Sequence, residues 1–364
     1  MRIVFLYLKS FSLTGGIEKF NRNFMMALHQ DSPEVSVISS YDKSTDEKYF
    51  PSARFTGCGG SKFIFVCIAL WRALKCDTLI IGHVNLSIVG HIARRLKPSL
   101  KLVLIVHGIE AWNEFKGFKR KVLQECDSIL SVSDFTKNKL IANNSKIDAR
   151  KIKIFPNAID PYFKLPTTFD KPDYLLERYG LKRDTSVLLT ITRLSSTEKY
   201  KGYDNVIKAL AGLNPQNKNL KYLLCGQSDA EEEKRICELI EQEGLQDCVL
   251  LPGYVNEDEL VDHYLLSDVF VMPSRKEGFG IVFIEALACG RPVIAGSKDG
   301  SADALLHGKL GKLIDPESLT ELISAIGESL AKKDADPLML QAKVLAAYRF
   351  QNYKEKLREY LLSV

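Results

Sequence analysis

No Cys-x-x-Cys pair and no Cys/His cluster at zinc spacing occurs among the eight cysteines and six histidines of this 364-residue chain. That absence argues against a disulfide framework and against a structural zinc site. Scattered cysteines suit a reducing compartment. Long apolar runs are also missing. The run 63–71 is far shorter than the ~20 residues a spanning helix needs, so the chain is expected to be soluble or peripheral, in the cytoplasm or on the inner face of its membrane. The apolar start, residues 1–8, lacks a signal-peptide layout and reads as a first buried strand. There is no internal repeat and no low-complexity tract. The single Asp-x-Asp, Asp334-Ala-Asp336, stands beside Lys332 and Lys333 in a polar stretch and reads as a linker rather than a metal site. Neither sign of charge dominates, since the net charge is only +5. Its distribution is uneven: through Asp170 there are 25 Lys+Arg against 15 Asp+Glu (net +10), leaving 25 against 30 (net −5). A basic first half would attract anionic lipid or an anionic saccharide, and it suits an ordinary solvated surface equally well. Nucleic acid would call for stacking aromatics and a fold signature that are not found, so no nucleic-acid partner is expected.

What is present is a regular alternation. With 46% hydrophobic residues, 364 residues suit two domains better than one. Strand-like runs at 3–8, 35–39, 78–82, 101–106, 128–132 and 153–155 alternate with helical patterns, and the second half restarts at 186–192, 222–225, 249–251, 269–272 and 292–295. Helices are expected at 203–213 and 231–244. Such alternation predicts an α/β fold with parallel, doubly wound sheets. A polar segment with Pro161, Pro166 and Pro172 breaks the pattern and reads as a linker. The expected domains are 1–165 and 175–340, with a closing segment 341–364 inside a last helix from 338 to about 362.

The most informative run is Glu277-Gly-Phe-Gly-Ile-Val-Phe-Ile-Glu285-Ala-Leu-Ala-Cys-Gly-Arg-Pro-Val-Ile-Ala295. It follows the strand-like Asp268-Val-Phe-Val-Met272, and a helix is expected to start near Gly280. Gly278, Phe279, Gly280 and Ile281 form the turn. Backbone N–H groups of Phe279, Gly280 and Ile281 would point out of that helix start, where the macrodipole favours a phosphate or diphosphate. Glu277 lies before the helix and Glu285 inside it, one for each end of a ligand whose diphosphate sits between them. A nucleotide-sugar has that shape.

Two glutamates with seven residues between them, followed by Ala-Leu-Ala-x-Gly-x-Pro-Val-Ile, resemble the signature of the retaining GT-B glycosyltransferases of family four. Other segments resemble the family in the same order, over essentially the whole chain. They are Thr14-Gly15-Gly16-Ile-Glu-Lys-Phe20, Val106-His107-Gly108, Ser131-Val-Ser133-Asp134, Pro156-Asn157-Ala158-Ile-Asp160, Arg193, Lys201-Gly202, Gly253-Tyr254-Val255 and Leu310-Gly311-Lys-Leu313. The resemblance implies two Rossmann-like domains facing a central cleft, with the acceptor on the first, the nucleotide-sugar on the second, and a terminal helix crossing back to the first. It implies that Gly15 and Gly16 approach the donor phosphate and acceptor. It also implies that His107 contacts the donor sugar or the reacting centre, that Val255 stands where backbone reads the base, and that Glu277 binds sugar hydroxyls and Glu285 the ribose diol. Arg193 and Lys201 would stabilise the leaving diphosphate, with no metal and no cofactor required. Lys199 rivals Lys201, and the following Gly202 favours Lys201. Ala158 replaces a usual glycine, and Lys298-Asp-Gly-Ser-Ala-Asp303 replaces a common Gly-Gly-x-Pro-Glu pattern, with Asp303 where a glutamate is usual.

The expected activity is transfer of a hexose from a UDP- or GDP-sugar to a hydroxyl of a saccharide or glycolipid, in bacterial surface polysaccharide or lipopolysaccharide assembly. A GT-B nucleotide-sugar epimerase and an inactive accessory subunit are the rival readings. Residues 112–121 interleave Trp112, Phe115 and Phe118 with four cations. This segment reads either as a contact with an anionic membrane or as a helix docking its aromatics into its own domain.

Overall fold

The computed structural model describes residues 1–364 apart from 13–14, 33, 145, 214–218, 332–335 and 363–364. Thr14, Lys332, Lys333 and Asp334 therefore lie outside the described residues. The chain divides into two compact units, Met1–Pro161 with Tyr348–Val364, and Tyr162–Ala347.

The first unit holds β1 (Ile3–Tyr7), β2 (Val35–Ser39), β3 (Phe55–Gly57), β4 (Thr78–Ile81), β5 (Lys101–Val106), β6 (Ser128–Ser131) and β7 (Ile152–Ile154). They form a parallel sheet in the order β3-β2-β1-β4-β5-β6-β7. Every residue of β1 is buried, as a strand covered on both faces requires, which is why it reads as an unbroken apolar run rather than an alternating one. Its helices are α1 (Gly16–Asp31), α2 (Lys62–Ala73), α3 (Ser87–Leu96), α4 (Gly117–Glu125) and α5 (Asp134–Asn143). The order reverses between β1 and β4. In an open α/β sheet the carboxyl edge at such a reversal is where ligands bind.

The second unit holds β8 (Ser186–Ile191), β9 (Leu220–Cys225), β10 (Val249–Gly253), β11 (Val269–Met272), β12 (Val293–Gly296) and β13 (Lys312–Ile314), parallel and ordered β10-β9-β8-β11-β12-β13. Its helices are α6 (Asp173–Arg178), α7 (Tyr203–Gly212), α8 (Ala230–Gln242), α9 (Leu260–Leu266), α10 (Ile281–Ala288), α11 (Ser301–Ala304), α12 (Leu319–Ala331) and α13 (Pro337–Tyr348). The reversal here lies between β8 and β11. Tyr203, Tyr222, Val271 and Ile326 are among the buried side chains of its core.

Three features depart from the sequence expectation. β3 and β13 were not expected; each has only three residues, too few to show a period. The last helix is not continuous. Arg349 is extended (φ −64, ψ 149), separating α13 from α14 (Phe350–Leu357) and a short π-helical turn, Arg358–Leu362. The carbonyl of Tyr348 accepts from the N–H of Ile159 at 2.9 Å, a long-range bond in place of the next helical one. The chain thus rejoins the first unit at Tyr348 rather than at 341. There Tyr353 packs on Phe155 with ring centroids 4.4 Å apart, and Arg358 donates to Asp31 at 2.6 Å.

Candidate active site

In the second unit, the loop after β8 and the loop after β11 emerge side by side at the sheet reversal. Lys201 ends a single 3-10 turn, Lys199–Lys201, and Gly202 follows with φ +83. A Cβ on Gly202 would lie 2.3 Å from the carbonyl oxygen of Pro273, so glycine alone lets this turn close against the end of β11. The approach brings Lys201 Nζ into contact with Glu277 Oε1, both side chains being mostly covered (16% and 14% exposed). Burial by itself would lower the affinity of Lys201 for its proton, but the Glu277 carboxylate outweighs it and holds the ammonium above its ordinary range. Lys199, by contrast, is exposed.

Glu277 is held from its backbone as well. Its N–H donates to Asp299 Oδ2 at 2.7 Å and its carbonyl accepts from Gly300 N–H at 2.8 Å. Asp299 is fully buried and also accepts from Ser274 Oγ at 2.6 Å and from Ser301 N–H at 2.9 Å. Burial pushes its carboxyl up to about 6, against the lowering effect of the two serines. Sequence reasoning missed this residue. It dwelt on Asp303, which instead stands 3.7 Å from His307. The available signal was Asp-Gly just after a strand, at the same sheet edge as Glu277.

Beyond Glu277 the chain passes Gly278 and buried Phe279 to Gly280, which caps α10 with φ +89. The helix begins at buried Ile281, near Gly280 as expected, and the N–H groups of Ile281 and Val282 lack helical acceptors, while that of Phe283 donates to the Gly280 carbonyl at 3.1 Å. Glu285 lies inside α10 and is only 1% exposed, its Oε2 accepting from Tyr264 Oη at 3.0 Å. The two glutamates therefore differ: Glu277 stands beside a cation at the loop surface, and Glu285 belongs to the wall behind it. Arg193 is exposed just beyond β8 and pairs with Glu198. Val255 follows Tyr254, which with Leu194, Gly226, Gln227 and Gly253 lines part of an open groove of about 390 Å³. Among the described residues, no three His, Cys, Asp or Glu side chains gather as metal ligands would.

In the first unit, Gly15 caps α1 in extended conformation and Gly16 opens the helix, just beyond β1 at that sheet's reversal. The preceding loop is held by Asp42, a buried residue absent from the sequence expectations. Its carboxylate accepts from the N–H groups of Ser10, Phe11 and Ser12 at 2.8, 3.2 and 3.0 Å, and from Ser39 Oγ at 2.9 Å. His107 ends β5. Its Nε2 is 2.8 Å from the carbonyl oxygen of Gly82, which can only accept, so Nε2 carries the proton. Its backbone N–H donates to Glu110 Oε1 at 2.6 Å. Burial lowers its proton affinity against the opposing charge of Glu110, and burial with nearby His107 pushes His83 down to about 4. Both imidazoles are thus neutral at pH 7. The His107 ring, buried against Phe20 at 4.8 Å, is placed to brace the ends of β4 and β5.

Of the aromatics in 112–121, two are docked. Trp112 Nε1 donates to Thr136 Oγ1 at 3.2 Å and Phe115 is buried, while Phe118 is exposed.

Solved structures share this architecture over the full chain. HepE of Anabaena, determined in complex with UDP, superposes with a TM-score of 0.82 at 21% identity, covering 100% of both chains. The fold is the GT-B fold of glycosyltransferases. The profile described as "Glycosyltransferase Family 4" matches residues 14–163, and "Glycosyl transferases group 1" matches residues 176–343. This chain belongs to the family-four glycosyltransferases, group 1. It is 29% identical over 281 residues (73% of this chain, 71% of the relative) to a GDP-mannose-dependent alpha-(1-6)-phosphatidylinositol monomannoside mannosyltransferase of Mycobacterium tuberculosis. It is 26% identical over 296 residues (78% and 72%) to a lipopolysaccharide 1,2-N-acetylglucosaminetransferase of Salmonella typhimurium.

Proposed function

We propose that this protein transfers a hexose, with retention of anomeric configuration, from a UDP- or GDP-sugar to a hydroxyl of a saccharide or glycolipid acceptor in bacterial surface polysaccharide or lipopolysaccharide assembly. The observation that carries the reading is the Lys201–Glu277 pair, a charged ammonium and a carboxylate fixed side by side at the reversal of the second sheet, next to the opening of α10. As the bond from the anomeric carbon to the phosphate oxygen breaks, negative charge grows on the leaving diphosphate. Lys201, with Arg193 at the rim, stabilises that charge, and the first-turn N–H groups of α10 add to it. Glu277 accepts hydrogen bonds from hydroxyls of the transferred sugar. Glu285, braced by Tyr264, forms the wall at which the ribose diol docks. No carboxylate is placed as a covalent nucleophile in this reading. The acceptor oxygen bonds to the anomeric carbon on the face the diphosphate leaves, and its proton passes to a departing phosphate oxygen. The first unit's edge beside Gly15 and Gly16 receives the acceptor, with buried His107 bracing the strand ends beneath it. The relatives named above act on phosphatidylinositol mannoside and lipopolysaccharide, which supports the acceptor class.

The test is acceptor-dependent release of UDP or GDP from a panel of nucleotide-hexoses, with the anomeric configuration of the product read by NMR. Retained configuration and acceptor dependence support the proposal. Inversion overturns the mechanism, and a changed sugar formed without acceptor identifies an epimerase instead.

A further inference from the structure

The first unit exposes an apolar face on α2. On α2, Phe63, Cys67 and Trp71 are exposed at intervals of four residues, and Leu74, at the end of the helix, and Ile64 are exposed beside them. At 100° per residue these five side chains fall within a stripe about 100° wide and about 16 Å long. Phe63 is 80% exposed and Trp71 52%, values far from those of rings that serve a core. The opposite side of the helix, Phe65, Ala69 and Ala73, is buried in the core. The helix is therefore apolar on both sides.

Cations border the exposed stripe. Lys75 Nζ lies 3.8 Å from the Trp71 ring centroid and the Arg72 guanidinium 5.1 Å from it, while Lys62 is exposed at the other end. The neighbouring α3 adds exposed Leu96 and Arg95 at the same end, where Lys97 Nζ donates to the carbonyl of Cys76 at 2.5 Å. Nearby acidic groups are already engaged: Asp77 by Arg2, Glu125 by His91 and, at 4.0 Å, by Arg95, and Asp127 by Arg94. The face thus presents aromatic and aliphatic groups together with the positive charge of Lys62, Arg72 and Lys75.

We propose that this face of α2, extended by the end of α3, is a membrane-docking surface that lies flat in the interface of an anionic phospholipid bilayer. Apolar side chains enter the boundary of the acyl region while lysine and arginine reach back to the lipid phosphates. The alternative occupant, a second copy of this chain, would bring Lys62, Arg72 and Lys75 against their own counterparts across a two-fold axis. α2 begins just after β3, so Phe63 lies at the sheet end that carries Gly15 and His107, and docking would hold that end near a lipid-linked acceptor. The proposal stands apart from the catalytic reading, because vesicle binding needs no sugar transfer. It also differs from a contact through residues 112–121, whose Trp112 and Phe115 are docked internally.

The chain's two tryptophans make the test direct. Vesicles of phosphatidylcholine with about one third phosphatidylglycerol, carrying brominated acyl chains, are mixed with Trp112→Phe, in which Trp71 is the sole indole, and with Trp71→Phe, in which Trp112 is. Docking through α2 is expected to quench and blue-shift Trp71 but not Trp112, and to be lost on phosphatidylcholine alone and at high salt. The variant Phe63→Asp with Trp71→Asp, both sites being exposed, is expected to lower the vesicle partition coefficient by about 100-fold, roughly tenfold per ring. Its thermal midpoint with UDP or GDP should match wild type. Three results overturn the proposal: no binding to anionic vesicles, quenching of Trp112 but not Trp71, or a dimer in sedimentation that the double variant dissociates.

Discussion

Replacing Lys201 by alanine acts on the fold and on the reaction by separable amounts. In the resting protein it removes the cation touching Glu277 and leaves a carboxylate that is 14% exposed without its counter-ion. That loss is expected to lower stability by about 2–3 kcal/mol, the cost of removing a charged hydrogen bond at a largely covered site. The sign with pH is fixed. The folded Lys201 holds its proton more tightly than the ordinary 10.5, so its contribution is complete at neutral pH and is lost only as pH climbs beyond that value. In the proposed reaction the ammonium would face charge that develops only as the donor bond breaks. Its removal should therefore depress kcat by roughly 10²–10³ while changing KM for the nucleotide-sugar far less. Glu277→Gln and the double variant complete a cycle in denaturant unfolding, with an expected coupling of about 1–3 kcal/mol. The assay is nucleoside diphosphate release at saturating acceptor, alongside urea unfolding of each variant. A Lys201→Ala protein that is folded and turns over at nearly the normal rate refutes the role given to this side chain.

Asp299 supplies a pH signature. A carboxyl raised from 3.8 to about 6 in the fold makes stability fall by about 2 kcal/mol as pH rises from 4 to 6, because the unfolded chain releases that proton first. Asp299→Asn should flatten this window in stability-versus-pH curves, and an unchanged slope would remove the assignment. Gly202→Ala forces a side chain into φ +83 and against the Pro273 carbonyl. A loss of about 3 kcal/mol or more in denaturant unfolding is expected, and a loss below about 1 kcal/mol would mean that the turn is not held as described. Asp42→Ala leaves three loop N–H groups without their acceptor, for a loss of about 3 kcal/mol. It should raise KM for acceptor while leaving UDP or GDP binding to the other unit intact, as calorimetric titration would show.

The strands that sequence exposes are those with both faces buried. Ile3–Tyr7 and Val269–Met272 are apolar at every position, which only a covered parallel sheet explains. β3 and β13 are edge strands of three residues, too short a pattern to be told reliably from loop, although β7, equally short, was expected. The break at Arg349 was hidden for another reason. Its cause is the long-range bond from Ile159 to Tyr348, and nothing local at Arg349 announces it. In the site, motif spacing pointed to Glu277, Glu285 and the glycine turn, while Lys201 came from the family resemblance, and the family is shown by the profile matches. Spacing did not reveal that Glu285 is fully enclosed while Glu277 keeps some exposure beside Lys201, since both flank the same helix start. Asp299 and Asp42 were missed as organisers because most of their partners are backbone N–H groups, which leave no mark on side-chain patterns, and for Asp299 the Asp-Gly after a strand was the only local hint. The exposed stripe of α2 went unread, because the run 63–71 was weighed only by its length against that of a membrane-spanning helix. An apolar run cannot by itself show that only one of its sides is covered.

The central claim is that Lys201 and Glu277 frame a nucleotide-sugar site, and it is tested most directly by thermal unfolding of wild type and Lys201→Ala with UDP, GDP, ADP or buffer. Binding to the native state alone adds about 2.7 kcal/mol at a hundredfold excess over Kd. UDP or GDP should raise the wild-type midpoint and raise that of Lys201→Ala much less. No shift with any nucleotide, or an equal shift in both proteins, would contradict the site as described.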